Sequence, residues 1–187
     1  MSMKLYSPKA RIGLALIDAA LSVKAAAQGT FGQKQKAQKT LRRLLEHRQS
    51  YLPNHHVSRA DAQYALALNY YAGNTVDCMQ AEALLIDCQL SFIKKLGPFS
   101  LRVAKALHLR GLVHSRLGDN KRAHTFHRAA DTVYAKVRPL SYDRIANLHQ
   151  LGFKQDWLGL HVEAGATREL ANQLNKMLAT QSVRRRF

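Results

Sequence analysis

Apolar residues recur at spacings of three and four along nearly the whole chain, and the alternation of a half-buried strand is nowhere sustained. The pattern predicts eight helices, at about 8–28, 33–51, 57–72, 77–96, 100–117, 120–137, 141–158 and 160–180. Gly29-Thr30-Phe31-Gly32 reads as the first hairpin turn. Pro53, Pro98 and Pro139 stand where a helix cannot continue, and residues 181–187 read as a frayed basic tail. The expected fold class is all-α.

The helices are repetitive. Residues 98–130 set above 139–171, an offset of 41, match at Pro98/Pro139, Ser100/Ser141, Leu107/Leu148, His108/His149 and Gly111/Gly152. The match continues through Leu117-Gly118/Leu158-Gly159, Ala123/Ala164 and Ala130/Ala171. Ala81 and Cys88 lie 42 residues before Ala123 and Ala130, and Leu52-Pro53 lies 45 before Gly97-Pro98. Such a period means stacked supersecondary units. About four are expected, at 8–52, 57–97, 100–138 and 141–180, in a single array over 1–187. Each first helix ends near a glycine (Gly73, Gly118, Gly159), as a left-handed cap requires. Each second helix carries small residues seven apart, on one face. Gly111 and Gly152 sit inside first helices, where close packing must outweigh the ~1 kcal/mol that glycine costs relative to alanine.

The run of small residue, Gly-Asp turn and two alanines at Gly111, Gly118-Asp119, Ala123 and Ala130 resembles the tetratricopeptide repeat (TPR). The long unit, with Leu96-Gly97-Pro98 as its joint, is similar to the repeats of kinesin light chains. The segment LGPFSLRVAKALHLRGLVHSRLGDNKRA carries the likeness best, which covers 60–172 more clearly than 8–59. The resemblance implies an α-solenoid of antiparallel helix pairs, a right-handed superhelix whose concave face takes peptides or partner helices. Its groove positions would be Lys105, His108, Leu112, Ser115 and Arg116 in the third unit, and Ala146, His149, Phe153, Asp156 and Trp157 in the fourth. TPR proteins that hold the acidic tails of heat-shock chaperones use a Lys and Asn clamp. His108 and Leu112 occupy those positions here, so that role is not implied.

Size and charge narrow the picture further. At 187 residues and 21.0 kDa the chain can bury a sufficient core without disulfides or metal. No segment is read as the ~20 uncharged apolar residues of a membrane span, so none is expected. Cys78 and Cys88 are too few for a disulfide framework and suit a reducing compartment. Lys plus Arg is 29 against 12 Asp plus Glu, a net charge of +17, which calls for an acidic or polyanionic partner. Residues 1–60 hold eleven Lys/Arg against Asp18 and Glu46, a net of +9. The first 30 residues carry Lys4, Lys9, Arg11 and Lys24, a composition shared by mitochondrial targeting segments and equally by a plain first helix. A mitochondrial setting is expected, with a cytoplasmic one as the alternative.

Candidate chemistry is sparse. Among nine histidines, His124 and His127 lie three apart and His55-His56 are adjacent, but no set of four converging ligands is legible and no metal is expected. There is no phosphate loop, nucleophile elbow or paired carboxylate. No catalytic residue, cofactor or small-molecule substrate is expected. Asp119 reads as the cap of the helix that follows it. The basic residues are the stronger signal: Lys34, Lys36, Lys39, Arg42, Arg43 and Arg48 on one helix, Lys121, Arg122 and Arg128 on another, and Arg184, Arg185 and Arg186 at the end. Tyr70, Tyr71, Phe153 and Trp157 are the aromatics placed to stack on bases.

The expected function is that of a non-catalytic scaffold or adaptor contacting protein partners in a larger assembly, a mitochondrial ribosome or respiratory-chain complex being suitable. RNA binding through the basic surface, in ribosome assembly or RNA processing, is the alternative. Leu160, Val162, Leu170, Leu174 and Leu178 make the last helix look uncapped, which would leave the C-terminal end to stack on a partner.

Overall fold

The structure, a computed structural model, describes residues 8–184, with side chains over 12–181. Eight helices follow one another: α1 Pro8–Thr30, α2 Lys34–Tyr51, α3 Val57–Tyr71, α4 Thr75–Leu96, α5 Leu101–Arg116, α6 Asn120–Val137, α7 Tyr142–Trp157 and α8 His161–Arg184. No strand occurs among the described residues. The expected helices are therefore present, with α8 extending to Arg184 where a frayed tail was expected from residue 181. Arg185 and Arg186 lie outside the described residues. The described residues fall into two compact units that meet between Lys95 and Leu96 in the sequence.

Local chemistry sets the helix ends. Ser100 and Ser141, equivalent in the repeat, each cap a helix by accepting a hydrogen bond from the backbone N–H three residues on, that of Val103 and of Arg144. Asp119 caps α6 in the same way, accepting from Arg122 N. Gly118 and Gly159 take φ of +81° and +78°, the left-handed cap the spacing implied. Gly73 is different. Its φ is not positive, and a Cβ there would collide with the Asp77 side chain, which accepts from Asn74 N.

In the second unit α6 packs on both α5 and α7, and α7 packs on α8. The paired small residues are the innermost points: Ala123, Ala130, Ala164 and Ala171 are all fully buried. Ile145, Leu148 and Leu151 of α7 close a core with Ala171 and Leu174 of α8, and Leu170 and Leu178 pack against it. The last helix is consequently not the uncapped one expected. Its leucines at 170, 174 and 178 turn inward, while Glu163, Glu169, Asn172, Gln173 and Lys176 face solvent. That is the polar outer face a terminal repeat needs. Val162 and Met177, at 85% and 54% exposure, are the exceptions.

In the first unit α1 packs on α2 and α2 on α3. Arg48, expected on the basic surface, is instead buried. Its guanidinium donates to both carboxylate oxygens of Asp18 (2.7 and 2.8 Å) and to the Ser58 carbonyl, joining α1, α2 and the start of α3. Tyr51 Oη adds a bond to Asp18 at 3.2 Å. Thr40 donates to Gln28 Oε1 at 2.7 Å elsewhere on the same interface. The opposite side of α1 is apolar and open. Ile12, Leu16 and Val23 are 63%, 66% and 70% exposed. Ile12–Thr30, though it contains Asp18 and Lys24, is long and apolar enough to cross a membrane by length and composition, a segment the sequence reading did not single out.

Candidate functional site

The interior of the second unit has a polar node that ties its first three helices together. Asn147 Oδ1, fully buried on α7, lies 2.9 Å from Nδ1 of His108 on α5 and 2.9 Å from Nδ1 of His127 on α6. Asn147 Nδ2 donates to the His127 carbonyl at 2.8 Å. An amide oxygen only accepts, so both imidazoles carry their proton on Nδ1. Burial pushes both histidines toward the neutral form, His127 down to about 4. Gly111 sits beneath the His127 ring; a Cβ there would stand 2.7 Å from it. Gly111 is thus room for an imidazole, whereas Gly152 lets α7 approach the Ala164 carbonyl and Thr167 of α8.

Beyond this node α5 and α7 are linked again. Lys105 pairs with Asp143 at 3.3 Å, in addition to the His108–Asn147 bond. The groove residues expected from the sequence are distributed over these two helices. Lys105 is engaged in its ion pair, and His108, Leu112 and Ser115 are half-buried. Arg116, Ala146 and His149 are exposed. Phe153 and Trp157 project further, at 61% and 59% exposure. Asp156 is held by Arg168 and by His161 (3.3 Å), and these hydrogen bonds, the one from Arg168 foremost, keep its carboxyl below the usual range. Tyr142, 67% exposed and four residues before Ala146, extends the α7 stripe, a residue the sequence reading missed. Its signal is the same helical spacing that gave Ala146, His149, Phe153 and Trp157.

Lys154, between Phe153 and Gln155, points the other way. It is buried, donates to Asn120 Oδ1 at 2.9 Å, and burial lowers its affinity for the proton. Its Nζ stands 4.7 Å from the centre of the Phe153 ring. The stripe therefore offers aromatic surface backed by positive charge, with Arg116 exposed on the neighbouring helix. Nothing in it resembles a nucleophile and its base. Among the described residues no group of three His, Cys, Asp or Glu could hold a metal ion.

The expected basic surface is broken up. Lys36, Lys39 and Arg43 are exposed along α2, Lys34 is half-buried, and Arg42 bonds the hydroxyl of Tyr70 at 2.6 and 2.8 Å. Tyr70 is itself buried and cannot stack on a base, and Tyr71 is half-buried. Lys121, Arg122 and Arg128 belong to the second unit; Lys121 is exposed, and Arg122 stands beside Asp119 at 3.3 Å. The side chain of Arg184 lies outside the described residues.

A concavity in the first unit had no sequence signal beyond alanine content. It measures about 570 Å³ and opens between α1 and α3 over α2. Ala25, Ala26, Ala62, Ala65 and Leu68 line it, and the Oδ1 atom of Asn69 at its edge is out of solvent without a hydrogen-bond partner.

No protein-family model and no curated protein matches the chain. Solved structures do. BtubC (BKLC) from P. vanneervenii is similar with a TM-score of 0.79 at 19% identity, over 89% of this chain and 66% of that one. The chain thus spans just under two thirds of BtubC. Nearly identical TPR-like repeats from a Podosopora anserina protein described as a kinesin light chain match with a TM-score of 0.66 at 19% identity, over 90% of this chain and 88% of that one. A point-substituted form of those repeats matches with a TM-score of 0.66 at 20% identity, over 92% and 88%. The chain has the all-α fold of TPR-like repeats, the resemblance to kinesin light chain repeats included.

Proposed function

We propose that the protein is a non-catalytic interaction scaffold that captures a segment of a partner protein on the α5–α7 face. The observation that carries this reading is the solvent-facing row Tyr142, Phe153 and Trp157, each more than half exposed on α7. Large aromatic side chains left in water on one helix face mark interaction sites rather than a finished surface. Helix α7 needs them for nothing internal, since its other side already closes the core through Ile145, Leu148 and Leu151. With a net charge of +17 the preferred segment is acidic and carries a large apolar side chain. On this proposal the partner segment belongs to a larger assembly, for which the sequence reading favours a mitochondrial over a cytoplasmic setting.

Trp157 is the only tryptophan and reports directly on this face. Titration with acidic, aromatic-bearing peptides should shift its emission to the blue, and Phe153→Asp should remove the response. A saturating partner that leaves Trp157 emission unchanged would place the interaction elsewhere.

RNA contact is the second reading, favoured by the exposed Lys36, Lys39, Arg43 and Lys121. It requires binding that weakens steeply with salt. Alanine at Arg42, Arg43, Lys121 and Arg122 together should reduce that binding if these cations carry it.

A further inference from the structure

Helix α1 is apolar on nearly every side, yet only the side against α2 is covered. A helix of that character is ordinarily buried in protein or in lipid. Its open stripe runs Ile12, Leu16, Ala19, Val23, Ala27, Thr30, positions that fall on one helix face over 19 residues, about 27 Å at the α-helical rise. Phe31, at 78% exposure, continues it into the turn before α2. Asp18 is the sole acidic residue of α1, and it faces the other way, locked to Arg48. The charges that flank the stripe in solvent are mostly positive: Lys24 on α1, then Lys36 and Lys39 just past the turn, with Glu46 the exposed acid further along α2.

We infer that this outer face of α1 is a lipid-docking surface, lying in the plane of an anionic bilayer while α1 stays packed on α2. Apolar surface and cations act together there: the stripe enters the headgroup boundary and the lysines meet anionic headgroups. A second copy of the chain fits less well, because antiparallel α1 helices would set like charges together on a protein already at +17. Spanning fits less well too. It would pull Asp18, Ser22 and Gln28 away from the partners they have on α2. A specific protein interface would be expected to offer hydrogen-bonding groups, and along this stripe Thr30 alone does, its hydroxyl already donating to Ala27 O. The inference stands apart from the α5–α7 face and uses none of its residues.

The test is flotation of the full chain with phosphatidylcholine vesicles, with and without phosphatidylserine. Binding is expected with the anionic vesicles and should fall about tenfold or more in Leu16→Glu and in Val23→Glu. Both side chains are exposed, so the melting temperature should hold. Cys78 and Cys88 are fully buried, so a fluorophore placed at Val23→Cys labels that site in the native protein. Its emission should move to the blue on anionic vesicles. No flotation with anionic vesicles, or flotation indifferent to both glutamates, overturns the inference. So does bound protein that resists alkaline carbonate, which means a spanning helix. A dimer dissolved by Leu16→Glu without lipid binding overturns it in favour of a second copy, and an α1-dependent protein complex without lipid binding in favour of a protein partner.

Discussion

Gly111 and His127 fit each other: the imidazole occupies the volume a side chain would take, and its own Nδ1 reaches Asn147. Gly111→Ala should therefore cost about 1–3 kcal/mol, the usual penalty of overpacking, despite alanine's better helix propensity. Gly165 on α8 has nothing within 4 Å of a built Cβ, and Gly165→Ala should stabilise by about 0.5–1 kcal/mol. Urea denaturation of the two variants decides between them, and opposite signs are expected. His127 also sets a pH dependence. Folded, it titrates near 4 against an ordinary 6.5, so the unfolded chain takes up the proton first as pH falls. Its contribution is intact above pH 6.5 and is lost between there and 4, by about 3 kcal/mol. His108 is shifted the same way by burial. His127→Gln should flatten the denaturation midpoint between pH 7 and pH 5; a wild-type midpoint already flat over that range would contradict the assigned environment. A residue whose role is local was legible in the sequence, as Asp119 shows at the start of α6. Arg48 was not, because Asp18 lies 30 positions away on another helix, and spacing says nothing about such a partner.

Among the elements, α8 turns inward where an uncapped end was expected, and α1 carries the open apolar side. Leu170, Leu174 and Leu178, first read as part of an uncapped end, fall four apart on one side of α8 and pack inward against α7. The outward side of α8 is largely polar. Helix α1 resists such a reading because its apolar residues go all round, so periodicity alone does not tell which side is covered. Its polar link to α2 includes Asp18 and Arg48, with the Arg48 guanidinium holding the Asp18 carboxyl below its usual 3.8. This ion pair contributes above pH 3.8 and is lost as pH falls through the lower folded value, a window below that of His127. Arg48→Ala leaves a half-covered carboxylate and should destabilise by about 2 kcal/mol or more, less in the Asp18→Asn background. A double-mutant cycle followed by helix signal would show it, and strictly additive effects would mean that the two side chains do not cooperate.

At the scale of the whole molecule, a fold shared with TPR-like repeats carries no function by itself. The all-α class, the repeat and its glycine and alanine positions were readable because stacking fixes small residues at regular intervals. Which outer surface is used was not, since the fold places no demand on Phe153 or Trp157. The scaffold account makes these two the working residues and leaves the cations of α2 and α6 secondary. The most direct measurement is quantitative mass spectrometry of proteins retained by the tagged chain in ribonuclease-treated extract of its own cells. Wild type would be compared there with the Phe153→Asp/Trp157→Asp double variant, both checked for equal melting. The scaffold account predicts a defined set of proteins that survives ribonuclease and is lost with the double variant. A set that disappears with the RNA, or one that the double variant retains in full, would contradict it.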